Sequence, residues 1–217
     1  MKFPDPYRFA DKAISQLNAA ALRLKNQTKQ RLLTLGFDEL NVLKKADALY
    51  ANLDKNNRKK FVELFIARYT EVMAYALGRE ITADEEDEVD ELAELYITGL
   101  LDEPNYTTKY TYSTEVLRKR DRAKEAMLSV PTKVQKQIQL DKHIRFFQQM
   151  TAWYADFASQ GAEIEAYKTA GVERVQRHEH DDEKTCSACR AADGEIYDID
   201  KIPPIPHLRC RRWFTPV

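Results

Sequence analysis

The three cysteines of this 217-residue chain all lie close to its C-terminal end, in a recognisable spacing. Cys186-Ser187-Ala188-Cys189 is a C-x-x-C knuckle, and His207-Leu208-Arg209-Cys210 is an H-x-x-C partner downstream. This is the spacing of two-knuckle zinc sites with one cysteine replaced by histidine. Two intervening residues let a tight turn aim both side chains at one point, so two such turns supply four tetrahedral ligands at roughly 2.0–2.3 Å. Three thiolates and one neutral imidazole fill the shell and leave no open position for water. The chemistry expected of Cys186, Cys189, His207 and Cys210 is therefore structural, with one zinc ion. Two other readings stand beside it: a redox C-x-x-C, and cysteines that are simply buried. A thioredoxin-like dithiol sits at a helix start after a strand, whereas here the chain beyond Cys189 runs into Ala192-Asp193-Gly194 and a prolyl loop.

Arginines surround the last ligand. Arg190, Arg209, Arg211 and Arg212 are candidates to hold phosphate or DNA, with Trp213 and Phe214 as faces for stacking or partner contact. A second basic run covers Arg118, Lys119, Arg120, Arg122 and Lys124. The simpler account of both is a solvated face, with the terminal arginines pairing to Asp181, Asp182, Asp198 and Asp200. Catalytic patterns are missing. His178-Glu179-His180 lacks the spacing of a zinc deaminase, and Thr185 stands where that motif needs proline. No H-E-x-x-H, phosphate loop or G-x-S-x-G elbow occurs. The acidic run from Asp84 is not a calcium loop, since Val89 takes the position that requires glycine. His178 and His180 remain candidates for extra ligands in a metal-dependent hydrolase, against the commoner case of exposed strand histidines.

The elements that must position these residues are mostly helical. Glycine is scarce at 6 residues while 32% of the chain is charged and 43% apolar, which suits amphipathic helices. Lys+Arg at 34 and Asp+Glu at 35 leave a formal charge of −1, so nucleic-acid contact would have to be local. No apolar run approaches the ~20 residues that cross a bilayer, and Met1–Pro6 lacks the apolar core of a signal peptide. We therefore expect neither a membrane protein nor a secreted mini-protein. Ile14, Leu17, Ala21, Leu24, Thr28 and Leu35 keep helical spacing before Gly36. A short helix from about Asp38 to Asn52 follows, then a separate one capped by Asn57 and stopped at Gly78. Thr82 opens the next, which Gly99 and Pro104 break. The tyrosine-rich stretch at 106–112 is an extended connector or the entry to a helix over 113–129, which Pro131 ends. One long helix, marked by Ile144, Phe147, Tyr154, Phe157, Ile164 and Tyr167, then runs to Gly171. Beyond it, residues 172–180 alternate as a strand, Asp193-Gly194 marks a turn, and Glu195–Ile199 is a second strand, with no further helix expected. The expected fold is mainly α with a small α+β C-terminal unit. It divides into an N-terminal helical region (1–104) and a second region (105–217) of helices over 113–170 and a hairpin-like zinc-knuckle tail at 171–217.

The tail resembles a known family. Ala170-Gly171-Val172-Glu173-Arg174-Val175, Asp182-Glu183-Lys184-Thr185-Cys186-Ser187-Ala188-Cys189 and Asp193-Gly194-Glu195-Ile196-Tyr197 look like the C-terminal signature of the phage head morphogenesis family, the Mu F-like minor head proteins. Pro203-Pro204-Ile205-Pro206-His207-Leu208-Arg209-Cys210-Arg211 resembles that family's prolyl H-x-x-C-R segment. The family commonly carries a further cysteine where Arg212 stands, which leaves four candidate ligands here. The resemblance covers roughly 105–217, with the specific motifs within 170–217. It implies a virion protein assembled in the host bacterial cytoplasm, joining the head near the portal vertex. Portal or major capsid protein would be its partner, with a part in DNA packaging or delivery and no enzymatic activity. A zinc-ribbon-like nucleic-acid-binding module is the alternative, resting on the arginines around Cys210.

Overall fold

The computed structural model describes residues 5–104, 109–180, 182–183, 185–204, 210 and 212–217. The element order is α1 (Arg8–Leu35), α2 (Glu39–Leu77), α3 (Ala83–Asp102), α4 (Tyr112–Leu128), α5 (Lys133–Thr169), β1 (Arg174–His178), α6 (Ser187–Ala191), β2 (Ile196–Asp198), a 3-10 turn (Ile199–Lys201) and β3 (Trp213–Pro216). The fold is thus mainly α with a small C-terminal β unit, as the composition and periodicity imply. Among the described residues, no helix is long and apolar enough to cross a membrane.

Helix boundaries follow local chemistry. Gly36 and Gly78 end α1 and α2 in the left-handed region, at φ 100° and 68°, where a Cβ is strained. Asp38 caps α2, accepting from the Asn41 amide at 3.0 Å. Thr82 and Glu85 form a reciprocal capping box on α3, as Thr132 and Gln135 do on α5. Two sequence expectations are corrected. Asn57 starts no helix but lies inside α2, because nothing between Asp38 and Gly78 breaks the backbone ladder. Its buried amide instead donates to Tyr112 Oη and Thr151 Oγ1, both at 2.9 Å. Likewise Gly99 does not interrupt α3, which runs on to Asp102. Tyr112 opens α4 behind its Thr111 cap and is fully buried, so the described end of the tyrosine-rich stretch is a helix entry.

The chain divides into two compact units, neither a single continuous stretch. One comprises the described residues of Met1–Ala13, Phe61–Ile97 and Trp153–Val217, the other Ile14–Lys60 and Thr98–Ala152. This division falls within helices. In the second unit Tyr50 and Phe147 meet edge-on at 5.5 Å, and Asp141 accepts from Lys25 and Lys29 at 2.9 and 2.6 Å.

The first unit holds the cysteines. Its three-stranded antiparallel sheet has the order β2-β1-β3, with Val175 opposite Tyr197 on one side and Arg177 opposite Phe214 on the other. The third strand is a feature that the sequence reading lacks. It is held from α5 by side chains three and four residues apart. Glu163 Oε1 accepts from the Phe214 amide at 3.0 Å, and Tyr167 Oη donates to the Phe214 carbonyl at 2.9 Å. One turn earlier, Gln160 donates to the Cys210 carbonyl at 3.4 Å and accepts from Arg212 Nε at 3.0 Å. Glu163 is buried beside Arg68 of α2, with 3.4 Å between Oε2 and Nη2. Burial pushes its carboxyl upward while Arg68 draws it back. Gly161 lies under Tyr96 of α3, so closely that a Cβ there would stand 2.0 Å from the phenol oxygen.

Candidate metal centre

The strand, the knuckle and the C-terminal segment each bring one donor to a common point. Along β1 the side chains alternate, so Val175 and Arg177 are buried while His178 is half-exposed; Glu179 continues the buried series. Cys186 caps α6, its sulfur accepting from the Cys189 amide at 3.4 Å, and the first turn of that helix carries Cys189 inward. Cys210 arrives from the segment tied to Gln160. The ligand atoms of Glu179, Cys189 and Cys210 all lie within 4.8 Å of one another; the two cysteines are buried and Glu179 is 9% exposed. Cys186 and Phe157 pack against the two buried sulfurs.

This group could hold a metal ion, and its geometry fits one. The Cys189 and Cys210 sulfurs are 3.8 Å apart. Two sulfurs each about 2.3 Å from a tetrahedral ion stand about 3.8 Å apart, whereas a disulfide needs about 2.05 Å. The electrostatics agree. Burial, then the Cys186 contact and the nearby Cys210 and Glu179, push the Cys189 thiol up to about 12. Burial and Glu179 also raise Cys210. Buried anionic donors this close repel one another until a cation joins them, and a divalent ion reverses that balance. Arg177 steadies the carboxylate, with Nε 2.8 Å from Glu179 Oε1 and Nη2 on the same oxygen.

The sequence singles out most of this site. Cys189 and Cys210 come together, Cys186 packs against them without joining the group of donors, and His207 lies outside the described residues. Glu179 is the donor that the motif reading missed, although the alternation already placed it in register with Val175 and Arg177. Cys186 and Cys189 do begin a helix, contrary to the expectation of none after Gly171, so helix position no longer argues against a redox dithiol.

His178 and His180 lie on the other side of β1. His178 stacks on Trp213 at 5.4 Å and shares a 2.7 Å hydrogen bond with Thr215, and His180 meets Trp213 at 5.5 Å. Neither joins the metal group. Of the arginines offered to phosphate, Arg209 and Arg211 lie outside the described residues. Arg190 is exposed, but its guanidinium donates to the Asp182 and Thr185 carbonyls at 3.0 and 3.5 Å, closing the loop before α6. Arg212 is corrected: it is 3% exposed and donates inward to Gln160 and the Pro203 carbonyl, so it cannot serve as a surface contact. Phe214 is fully buried too and presents no stacking face. In the second basic run Arg118 pairs with Glu115 at 3.0 Å, Arg120 with Asp121 at 2.8 Å, and Lys124 with Asp47.

Comparison with known protein families, with curated proteins and with solved structures finds no match to this chain.

Proposed function

We propose that this chain is a minor head protein of a phage, assembled into the virion near the portal vertex and docking there through a metal-clamped tail. One observation carries the reading: two of the segments that resemble the head morphogenesis signature supply the two cysteines that converge, Cys189 and Cys210, and the third donor, Glu179, lies between the first two segments. Ala170–Val175 leads from α5 into the start of β1, and Asp182–Cys189 covers the loop and knuckle. Asp193–Tyr197 covers the turn into β2, and the prolyl segment leads to Cys210. A signature whose spacings serve one buried cluster is a signature of a folded module. The role is an assembly role, since the donors are buried and no catalytic constellation accompanies them among the described residues.

The ion proposed is zinc, bound by sulfur from Cys186, Cys189 and Cys210, with Glu179, the residue after β1, or His207 of the H-x-x-C motif in the fourth place. It supplies a cross-link between strand, knuckle and C-terminal segment and leaves no site for water. Metal analysis with thiol titration tests this half: one zinc per chain with masked thiols supports it, and three freely reacting thiols refute it. Glu179→Gln and His207→Ala separate the two fourth ligands, because loss of the true one lowers affinity. Co-purification with the portal or major capsid protein tests the other half. Binding is expected with the intact chain and lost in Cys186→Ser/Cys189→Ser; retention in the double variant shows that the tail is not the docking element.

A further inference from the structure

A cavity of about 430 Å³ opens between α2 and α3, away from the cysteine cluster. Its volume lies within the ~300–1,000 Å³ of ligand pockets. The floor is apolar, built from Met73 and Leu77 of α2, Ile81 of the turn, and Val89 and Leu92 of α3. The apolar lining continues past the cavity, because Leu95 stands three residues after Leu92 on the same helix face and is 72% exposed.

The surroundings are negative. The 20 residues of α3 include no lysine or arginine, against carboxylates at Asp84 through Glu88, Asp90, Glu91 and Glu94. Among the described residues, only Glu85 of these enters an ion pair, with Arg79 at 2.7 Å. Glu88 lies at the cavity and is exposed. Glu85 lines the cavity too, and the Tyr69 hydroxyl beside it is raised by burial, against a hydrogen bond with Thr169, and further by Glu165, Glu88 and Glu85. Lys168 offsets Glu165 at 3.1 Å, whereas Glu88 has no ion-pair partner among the described residues.

An apolar floor under an unneutralised acidic rim fits one kind of occupant. A small cation has no use for the floor, and an apolar ligand has none for the rim. We propose that this cleft receives a basic segment of a partner protein, which seats an apolar side chain on Met73, Leu77 and Leu92 and sets its lysines or arginines against Glu88 and Glu91. The stripe from Glu85 to Leu95 is about 15 Å long, which matches about three turns of a partner helix. This inference goes beyond the head-assembly reading and does not depend on the metal.

The test titrates the full-length chain with an amidated peptide of about twelve residues carrying leucines at helical spacing between lysines. Controls are the same peptide with serine for leucine, and spermine. The leucine–lysine peptide is expected to bind, to weaken about tenfold in Glu88→Lys/Glu91→Lys and severalfold in Leu95→Ser, and to weaken again as salt rises from about 50 to about 300 mM. These three positions are exposed, so far-UV dichroism should show the variants folded. Binding should also survive in Cys186→Ser/Cys189→Ser, which separates failure here from failure of the tail reading. The inference is overturned if the leucine–lysine peptide does not bind, if the serine peptide or spermine binds as well, or if charge reversal leaves binding unchanged. Self-association abolished by Glu88→Lys would equally overturn it, by showing a second copy in the cleft.

Discussion

Glu179 shows how a single side chain changes what a motif means. The C-x-x-C and H-x-x-C pair reads as two knuckles closing on each other, yet the strand contributes a carboxylate to the same point. That carboxylate is oriented by the buried guanidinium of Arg177 two residues earlier. If Glu179 is a ligand, Glu179→Gln should weaken metal binding about 10- to 100-fold while leaving the thiols in place, and Glu179→His should recover much of the loss. Competition with a chromophoric chelator measures both. The raised thiols set a pH dependence. In the metal-free chain Cys189, up at about 12, holds its proton far above the ordinary cysteine value of about 8.5 that the unfolded chain shows. The folded state therefore binds more protons, so stability should fall as pH rises above about 8.5. Metal displaces those protons, so affinity should climb with pH, about tenfold per unit for each proton released, and the alkaline loss should vanish in the loaded protein. Urea melts at pH 7 and pH 10, with and without zinc, distinguish these outcomes.

Among the elements, α5 does the most positioning. Its Gly161 face accepts Tyr96, and its Gln160, Glu163 and Tyr167 face holds the chain from Cys210 to Phe214. Gly161→Ala should destabilise the protein by about 1–3 kcal/mol, because the new methyl must displace the Tyr96 ring. Tyr96→Ala in the same background should recover part of that loss, a coupling that a double-mutant cycle detects. Glu163→Ala leaves the buried Arg68 with Glu71, 3.2 Å away, as its remaining carboxylate and orphans the Phe214 amide, so it should cost about 1–3 kcal/mol. Protease should then cut preferentially near β3. Much of this architecture was legible beforehand. Glycines at 36, 78 and 171, the capping Thr82 and the apolar stripes mark where helices start and stop, because those signals are local. What escaped was tertiary. Asn57 resembles a cap, but its amide is satisfied by Tyr112 and Thr151, which lie far along the chain. Likewise β3 is short and rich in aromatics, and only the side chains of α5 and its pairing with β1 make it a strand.

For the molecule as a whole, the donors sit at the C-terminal end while most of the backbone is helical. Chelation should therefore leave the far-UV helical signal nearly unchanged and expose the tail to protease. Removing a structural ion withdraws stabilisation on the order of 10 kcal/mol from the small unit folded around it. A collapse of total helicity instead would show that the ion holds far more than the tail. One further property follows from how α5 treats the outermost strand. The Phe214 amide and carbonyl, which would otherwise stand ready for a neighbouring backbone, are already engaged by Glu163 and Tyr167. At that point the margin of the sheet is sealed against extension by a foreign β-segment. Copies of this chain thus have no open rung there on which to stack.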